Sequence, residues 1–183
     1  MSSLGEVDAA AAAALGFLKA DYVAVERERR WLCRAAPREL VTETWTINDL
    51  YVAGTQLRLR EARPLGGGSP RLRFSRKADL DASTRLITTI YLTESELRVL
   101  AAALSGDRLR KLRHRLRLPD GSSMSVDEFR GDLDGLRLVE AEFDSAEALA
   151  AFRPPEFALR EVTDDARYTG AHLAAHGLPR GGA

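Results

Sequence analysis

Two pairs of glutamates occupy alternate positions in two separate segments of the chain. Glu26 and Glu28 lie in "VERERRWL", and Glu140 and Glu142 lie in "LVEAEF". Alternate side chains of a β-strand point to the same face of a sheet, so each pair would present two carboxylates together. Carboxylate oxygens suit hard divalent ions, and the absence of His or Cys beside either pair disfavours zinc. The spacing therefore predicts a site for Mg²⁺ or Mn²⁺ if both segments are strands.

Arginines and lysines follow the same alternate spacing in several segments, on the face opposite Leu, Ile or Phe. If the sheet curls into a barrel with this face inward, the cations repel one another unless an anion lies between them. Arginine binds phosphate oxygens through paired N–H groups and lysine binds them as a point charge, so a small polyanion is the expected ligand. The cations are Arg30, Arg58, Arg60, Arg71, Arg73, Lys77, Arg85, Lys111, Arg113, Arg115 and Arg117.

The alternation also bears on the fold class. The stretch "LRKLRHRLRL" (109–118) would suit a basic helix or a strand, and its two-residue period favours the strand. Few helical segments interrupt the strand-like ones, and "PDG" at 119–121 is a turn signal. This pattern predicts an antiparallel barrel or strongly curved sheet with some helices, an α+β protein. The other strand-like segments are 22–33, 56–62, 71–77, 84–92, 123–129 and 135–143.

Helix-start signals precede several segments. A Ser or Thr placed three residues before a Glu forms a capping box, and Asp in the same position also caps helices. The predicted helices, with their signals, are 4–20 (Ser3 and Glu6), 94 to about Gly106 (Thr93 and Glu96), a short helix through Phe152 (Asp144 and Glu147) and an amphipathic helix over about 164–176.

The order of these motifs resembles the CYTH superfamily, also called triphosphate tunnel metalloenzymes, over about residues 22–178. That superfamily includes class IV adenylate cyclases, thiamine triphosphatases and inorganic tripolyphosphatases. Three segments resemble short bacterial members of the superfamily: "VDEF" around Asp127, "EVTDDARY" and "LAAHGLP". The matching positions are Glu26, Glu28 and Arg30 for E-x-E-x-K, Arg58 and Arg60 for R-x-R, Lys77 for the lysine that follows, Lys111 and Arg113 for K-x-R, and Glu140 and Glu142 for the closing E-x-E.

The resemblance implies an eight-stranded antiparallel β-barrel, or tunnel, with flanking helices and a triphosphate inside. The four glutamates Glu26, Glu28, Glu140 and Glu142 would hold one or two Mg²⁺ or Mn²⁺ ions. Lys111 would orient or activate the attacking water. The phosphate-binding residues would be Arg30, Arg58, Arg60, Lys77, Arg85, Lys111 and Arg113, with Arg73, Arg115 and Asp127 in support.

Two positions depart from the superfamily pattern. Arg30 replaces the hallmark lysine, which keeps the charge but changes its geometry. Many members also carry an acid on the strand at 85–91, whereas Ile87, Thr89 and Tyr91 share a face with Arg85 here. We therefore consider a metal-dependent triphosphatase first and a non-catalytic sensor of nucleotide, cyclic nucleotide or polyphosphate second. A class IV-type adenylate cyclase requires a purine pocket that no motif identifies.

Composition sets the remaining expectations. The chain has 183 residues, 45% of them hydrophobic and 30% charged, with a net charge of zero, which disfavours nucleic acid as a partner. No apolar run approaches the roughly 18 residues of a membrane span. We expect a cytoplasmic protein, and because relatives include dimers, a homodimer is one expected assembly. The expected organisation is an N-terminal helical extension over 1–21, the tunnel domain over 22–178 and a flexible tail over 179–183.

For five further residues we expect packing or surface roles. Cys33 is the single cysteine, which excludes an internal disulfide, and a small buried hydrophobic group is its expected role. Trp31 and Trp45 are expected on the outer face of the barrel, against helices. His172 and His176 have a spacing compatible with a metal but no carboxylate or cysteine nearby in sequence, so we expect surface or packing roles for them.

Overall fold

The computed structural model describes residues 7–179. Within that range the chain forms nine strands: β1 (Ala24–Leu32), β2 (Val41–Val52), β3 (Leu57–Pro64), β4 (Arg71–Asp79), β5 (Thr84–Tyr91), β6 (Gly106–Arg117), β7 (Ser123–Phe129), β8 (Arg137–Phe143) and β9 (Arg160–Glu161). The α-helices of the same range are α1 (Ala9–Ala14), α2 (Glu94–Ala103), α3 (Ala146–Ala151) and α4 (Gly170–His176).

The strands close into a barrel. Their antiparallel order is β5-β4-β3-β2-β6-β7-β8-β1, and β1 also pairs with β5, which joins the two ends of the sheet. This closing contact is short, because only residues 24–27 of β1 pair with residues 84–87 of β5. Farther along β1, Trp31 pairs with Glu161 of β9. The predicted eight-stranded antiparallel barrel is confirmed, and β9 is an addition to it.

β2 is a strand that the sequence analysis did not identify. It lies inside the sheet between β3 and β6. Its segment "TWTINDLYV" is rich in β-branched and aromatic residues, which is a strand signal. However, its inward positions include Trp45, Ile47 and Tyr51, so it does not repeat the charged spacing of the other strands.

α1 is shorter than the helix predicted over 4–20. It begins after Asp8, whose side chain accepts a hydrogen bond from the backbone N–H of Ala10 at 2.8 Å. The chain turns soon after the helix, where Gly16 has a φ of 80°. Ser3 and Glu6, the predicted capping box, lie outside the described residues.

The segment after α1 packs on the outer face of β4 and β5. Phe17 and Val23 belong to a buried cluster with Ala78 and Leu86. The guanidinium of Arg76 lies 4.3 Å from the centre of the Phe17 ring. The N-terminal segment is thereby attached to the outside of the barrel wall.

The capping box predicted for α2 is present. The Thr93 side chain accepts from the N–H of Glu96, and the Glu96 side chain accepts from the N–H of Thr93. The helix ends at Ala103, and Gly106 begins β6. A Cβ at Gly106 would lie 1.9 Å from the carbonyl oxygen of Tyr51, so this close approach of β2 and β6 requires glycine.

The last two helices begin later than predicted. α3 is capped by Ser145, which accepts from the N–H of Ala148 at 3.1 Å, so Asp144 is not the cap. α4 is capped by Thr169 and follows a 3₁₀ turn over Ala166–Tyr168, which interrupts the helix predicted over 164–176. In the described part of the chain, no helix has the length and apolar character needed to cross a membrane.

Trp31 and Cys33 lie in the outer core, as expected. Trp31 is 1% exposed, and its ring centre lies 5.7 Å from that of Phe152, just after α3. Cys33 belongs to the same cluster, and burial raises the pKa of its thiol to about 11. Leu116, Val126 and Val139 belong to this cluster too, which covers part of the outer face of β6, β7 and β8, while their alternate charged residues face the interior of the barrel.

Candidate functional site

The inner faces of the strands enclose a cavity of about 280 Å³. Among the described residues, ten arginines or lysines and four glutamates line it, and the carboxylates of Asp49 and Asp127 are also buried within the barrel. Cations therefore exceed these carboxylates by four, which favours an anionic ligand. The charged lining residues are Glu26, Glu28, Arg30, Arg58, Arg60, Arg71, Arg73, Lys77, Arg85, Lys111, Arg113, Arg115, Glu140 and Glu142.

The structure brings nearly all the predicted site residues to this one cavity. Asp127 lies beneath its surface and contacts Lys111 and Arg113. Arg117, which has the same spacing as Lys111, is not in the lining; it lies at the end of β6 and donates to the carbonyl oxygen of Gly121 at 2.8 Å. Alternation assigns a residue to a face but does not tell how far along the strand the cavity extends.

Apolar residues cover one end of the barrel. Leu109 and Phe129 pack with Tyr168 and Leu173, which come from the 3₁₀ turn before α4 and from α4 itself. Gly170, the first residue of α4, lines the cavity, and a Cβ there would lie 2.0 Å from the Tyr51 hydroxyl. The C-terminal elements therefore reach the cavity because glycine allows the helix to approach the wall.

The two glutamates of the first pair form ion pairs with cations of β1, β4 and β5. Glu26 accepts from Nζ of Lys77 at 2.5 Å, and although burial opposes ionisation, Lys77 and the arginines beyond it lower the pKa of Glu26 to about 2. Glu28 contacts Nη2 of Arg30, and Nη2 of Arg85 lies 3.2 Å from it. Glu26 is thus ionised, and cations hold both carboxylates in place.

The two glutamates of the second pair differ in their cation partners. Glu140 contacts Nη2 of Arg113 and lies 3.6 Å from Nε of Arg30; despite burial, these cations and Lys111 hold its pKa well below the usual range. Glu142 has no ion pair with any residue of the described range. Burial, and then the charge of Glu26, raises the pKa of Glu142. A cation added beside Glu142 would therefore be stabilised.

Asp49 and Tyr51 are inner-wall residues that the sequence analysis missed. The Asp49 side chain is fully buried and forms a bidentate ion pair with Arg60 and a 3.8 Å contact with Arg58. Burial raises the pKa of the Tyr51 hydroxyl, which hydrogen-bonds with Arg58. Recognition of β2 as a strand would have placed both on the inner face, since they alternate with Leu50.

Lys111 is buried between an acid and an aromatic ring. Its ammonium group contacts Asp127 and lies 5.4 Å from the centre of the Phe129 ring. Burial lowers the pKa of Lys111, although the charge of Asp127 opposes this effect. Arg113 forms a bidentate contact with the same carboxylate, at 2.6 Å for each nitrogen. Asp127 therefore positions two of the predicted phosphate-binding cations.

Four arginines in the wall have an unused donor. In the described range, the buried Nε atoms of Arg30, Arg58, Arg73 and Arg85 make no hydrogen bond. Carboxylate oxygens lie 3.6, 3.8 and 3.2 Å from those of Arg30, Arg58 and Arg85, as ion pairs without hydrogen-bond geometry. Burial, together with the positive charges of Arg60 and Arg58, lowers the pKa of Arg73 to about 10. Buried polar groups normally find a partner, so these donors point to an anion with several oxygens.

Trp45 lies on the inner face, contrary to the expectation of outer packing. It is 5% exposed and lines the cavity with Ile47 and Ala62. The guanidinium of Arg71 lies 4.5 Å from the centre of its ring. The pairing of β2 with β3 and β6 decides this orientation, because it places the even-numbered neighbours of Trp45 outward.

The acidic side chains of the cavity are of the chemical type that binds a divalent metal ion. The candidates Glu26, Glu28, Glu140 and Glu142 all supply carboxylate oxygens, and Glu142 has no cation partner in the described range. As the side chains stand, residues 7–179 contain no group of three His, Cys, Asp or Glu that could hold an ion. Arginine or lysine side chains contact three of the four carboxylates, those of Glu26, Glu28 and Glu140. His172 and His176 contact each other on α4, with ring centres 4.3 Å apart, outside this cavity.

Comparisons with known proteins identify relatives of one kind. The chain is 41% identical over 85 residues to an inorganic triphosphatase of Nitrosomonas europaea, and 37% identical over 65 residues to one of Acetivibrio thermocellus. These matches span 56% and 40% of the relatives' lengths, so the chain matches about half of each curated relative. No protein-family model matches the sequence.

A solved structure extends the likeness to most of the chain. The crystal structure of the inorganic triphosphatase NE1496 superimposes with a TM-score of 0.54 and 31% identity, over 81% of this chain and 93% of that one. The chain belongs to the CYTH superfamily of triphosphate tunnel metalloenzymes.

Proposed function

We propose that the protein hydrolyses triphosphates inside the barrel with the help of a divalent metal ion. Inorganic triphosphate is the first candidate substrate, and thiamine or nucleoside triphosphates are further candidates. The excess of cations in the cavity carries the proposal, together with the four buried arginine Nε atoms that make no hydrogen bond in the described range. An anion with many acceptor oxygens would satisfy these donors together. The names of the relatives support a triphosphate as that anion.

The wall arginines would bind and orient the phosphate chain. Arg58, Arg60 and Arg73 come from the neighbouring strands β3 and β4, and Asp49 holds the first two in position. Such positioning, with neutralisation of charge on the phosphate oxygens, supplies most of the rate in phosphoryl transfer. A divalent ion held by Glu26, Glu28, Glu140 and Glu142 would supply part of that neutralisation.

Lys111 would act on the attacking water. Water attacks the terminal phosphorus, the bond from that phosphorus to the bridging oxygen breaks, and phosphate and pyrophosphate form from inorganic triphosphate. The lowered pKa of Lys111 brings its ammonium group closer to the range in which it exchanges protons with a water molecule. We therefore assign Lys111 to orienting or activating this water.

Phosphate release is the direct test. Inorganic triphosphate, ATP and thiamine triphosphate would each be supplied with Mg²⁺, Mn²⁺ or EDTA, and the products analysed for phosphate, pyrophosphate and cyclic AMP. Metal-dependent release from at least one substrate, lost in Glu140→Gln, is the expected result. Activity unchanged by EDTA or by Glu140→Gln would contradict the assignment of the metal.

A second candidate is a sensor that binds a polyphosphate or nucleotide without turnover. One support is that cations already hold Glu26, Glu28 and Glu140. The other is that Ile87, Thr89 and Tyr91 share a face with Arg85 on a strand where many superfamily members carry an acid. Binding by a wall of cations would persist without metal. Tight binding of inorganic triphosphate in EDTA, with no phosphate release under any metal condition, would favour the sensor.

A further inference from the structure

Glu28 is held by two guanidinium groups at one oxygen. Its Oε1 contacts Nη2 of Arg30, and Nη2 of Arg85 lies 3.2 Å from the same atom. Glu28 is 6% exposed and Arg30 is 2% exposed, so water screens these charges little. A metal ion that bound Glu28 through this oxygen would have to displace one of the two arginines.

Arg85 lies between the two acids of the E-x-E strand. In the closing contact of the barrel, Arg85 of β5 pairs directly with Glu26 of β1. Its Nε lies 3.9 Å from Glu26 and 3.2 Å from Asp79, while its Nη2 reaches Glu28. The Arg85 side chain is 13% exposed. A fixed positive charge thus lies beside the carboxylates predicted to bind metal on this strand.

On the other E-x-E strand, β8, the two glutamates are not both held by cations. Glu140 has cation partners, but Glu142 has no ion pair in the described range and lies directly opposite Glu28 in the pairing of β1 with β8, so the two carboxylates repel each other. A divalent ion near Glu142 would relieve this repulsion, whereas one between Glu26 and Glu28 would meet Arg85 at short range. At the low effective dielectric of a buried site, that repulsion disfavours joint occupancy.

We propose that Arg85 is a built-in cation that takes the place of one divalent ion at the Glu26–Glu28 pair, so that the protein binds a single ion, on the Glu140–Glu142 side. The inference rests on the proposed function in taking the glutamates of the cavity as the candidate metal ligands, and it narrows the site from all four to the Glu140–Glu142 side. It also gives the replacement of an acid on β5 a chemical meaning, because an acid there would attract an ion that Arg85 excludes.

Counting bound Mn²⁺ on the full-length protein tests the proposal. Mn²⁺ alone would be titrated and the free ion measured by electron paramagnetic resonance. We expect at most one bound ion per wild-type chain and one additional ion in Arg85→Gln. Arg85→Lys keeps the charge and should keep the wild-type count. Arg115→Gln is the matched control, because Arg115 lines the cavity without an ion pair to any carboxylate in the described range.

Several outcomes would overturn the proposal. Two ions on the wild-type chain would do so whether or not the variants fold, and so would an unchanged count in a folded Arg85→Gln. An equal increase in Arg115→Gln and Arg85→Gln would indicate a general effect of cavity charge rather than a role for Arg85. Circular dichroism and thermal unfolding would verify the fold of each variant. Because ion counting needs no turnover, its outcome is separate from that of the phosphate-release assay.

Discussion

Arg60 and Asp49 form a bidentate ion pair inside the barrel, with Nε and Nη2 of Arg60 each 2.6 Å from one carboxylate oxygen of Asp49. The Asp49 side chain is fully buried, and that of Arg60 is 7% exposed. Asp49 also lies 3.8 Å from Nε of Arg58. One carboxylate on β2 therefore orients both arginines of the R-x-R motif on β3.

Replacing Asp49 should destabilise the fold strongly. Asp49→Asn leaves two buried guanidinium groups without their counter-charge, and breaking a buried pair in this way costs about 3–5 kcal/mol. Urea unfolding at pH 7 would measure the change. Glu94→Gln is the control, because it removes the exposed partner of Arg63 and should cost no more than about 1 kcal/mol. Similar effects for the two variants would contradict the role given to Asp49.

The difference in stability between wild type and Asp49→Asn should depend on pH. Burial would raise the pKa of Asp49, but Arg60 and Arg58 outweigh this and hold the pKa well below its ordinary value of 3.8. A carboxyl group with a lowered pKa in the folded state contributes stability above its unfolded pKa and loses it as the pH falls towards the folded pKa. The difference in unfolding free energy between wild type and Asp49→Asn should therefore be constant from pH 7 to 5 and shrink below about pH 4. A constant difference down to pH 3 would argue against an ionic contribution.

Lys111 should affect turnover more than substrate binding. Lys111→Ala removes the group proposed to act on water, and loss of such a group lowers kcat by about 10²–10⁴-fold. Arg117→Ala is the control on the same strand, because Arg117 lies outside the cavity lining; its kcat should stay within about twofold of wild type. Steady-state phosphate release would give kcat and KM separately. A rise in KM at unchanged kcat would instead limit Lys111 to binding.

Trp45 should report ligand binding by its fluorescence. Its ring lies in the cavity beneath Arg71, at 4.5 Å from the guanidinium, and an anion that contacts Arg71 changes the environment of the ring. Inorganic triphosphate added in EDTA should alter the emission of the wild-type protein and of Trp31→Phe, but not of Trp45→Phe. Trp31 is the matched control because it packs outside the barrel against Phe152. A response that persists in Trp45→Phe would contradict binding beside this residue.

The N-terminal segment should contribute to the stability of the barrel. Phe17 is 6% exposed and packs on β4 and β5, so Phe17→Ala should cost about 3 kcal/mol through lost burial and a remaining cavity. The adjacent Leu18 is 92% exposed, and Leu18→Ala should change stability by no more than about 0.5 kcal/mol. Chemical denaturation of both variants would measure this. Equal, small effects would mean that the segment is not firmly docked.

The motif residues were assigned correctly to the interior because alternation is a local property. Once "RLRKLRHRLR" is a strand, Lys111, Arg113 and Arg115 must share a face, whatever strands lie beside it. The same argument placed Glu140 with Glu142. It failed for β2, because Trp45 and Ile47 give an inner face without the charges that marked the other strands, and Asp49 was overlooked with it.

The sequence by itself determined which side chains share a face of the strands with alternating charges, and with the motif order it determined the family. Only the tertiary structure decided which charges meet: Arg60 with Asp49, Lys77 with Glu26, and Arg85 with both glutamates of the first strand. These contacts depend on strand order, on register and on the closure of β1 against β5. Each of these contacts joins segments that are distant in the chain. The two-residue period assigns the same faces for every strand order and for every register shift of two residues, so it does not decide which charges meet.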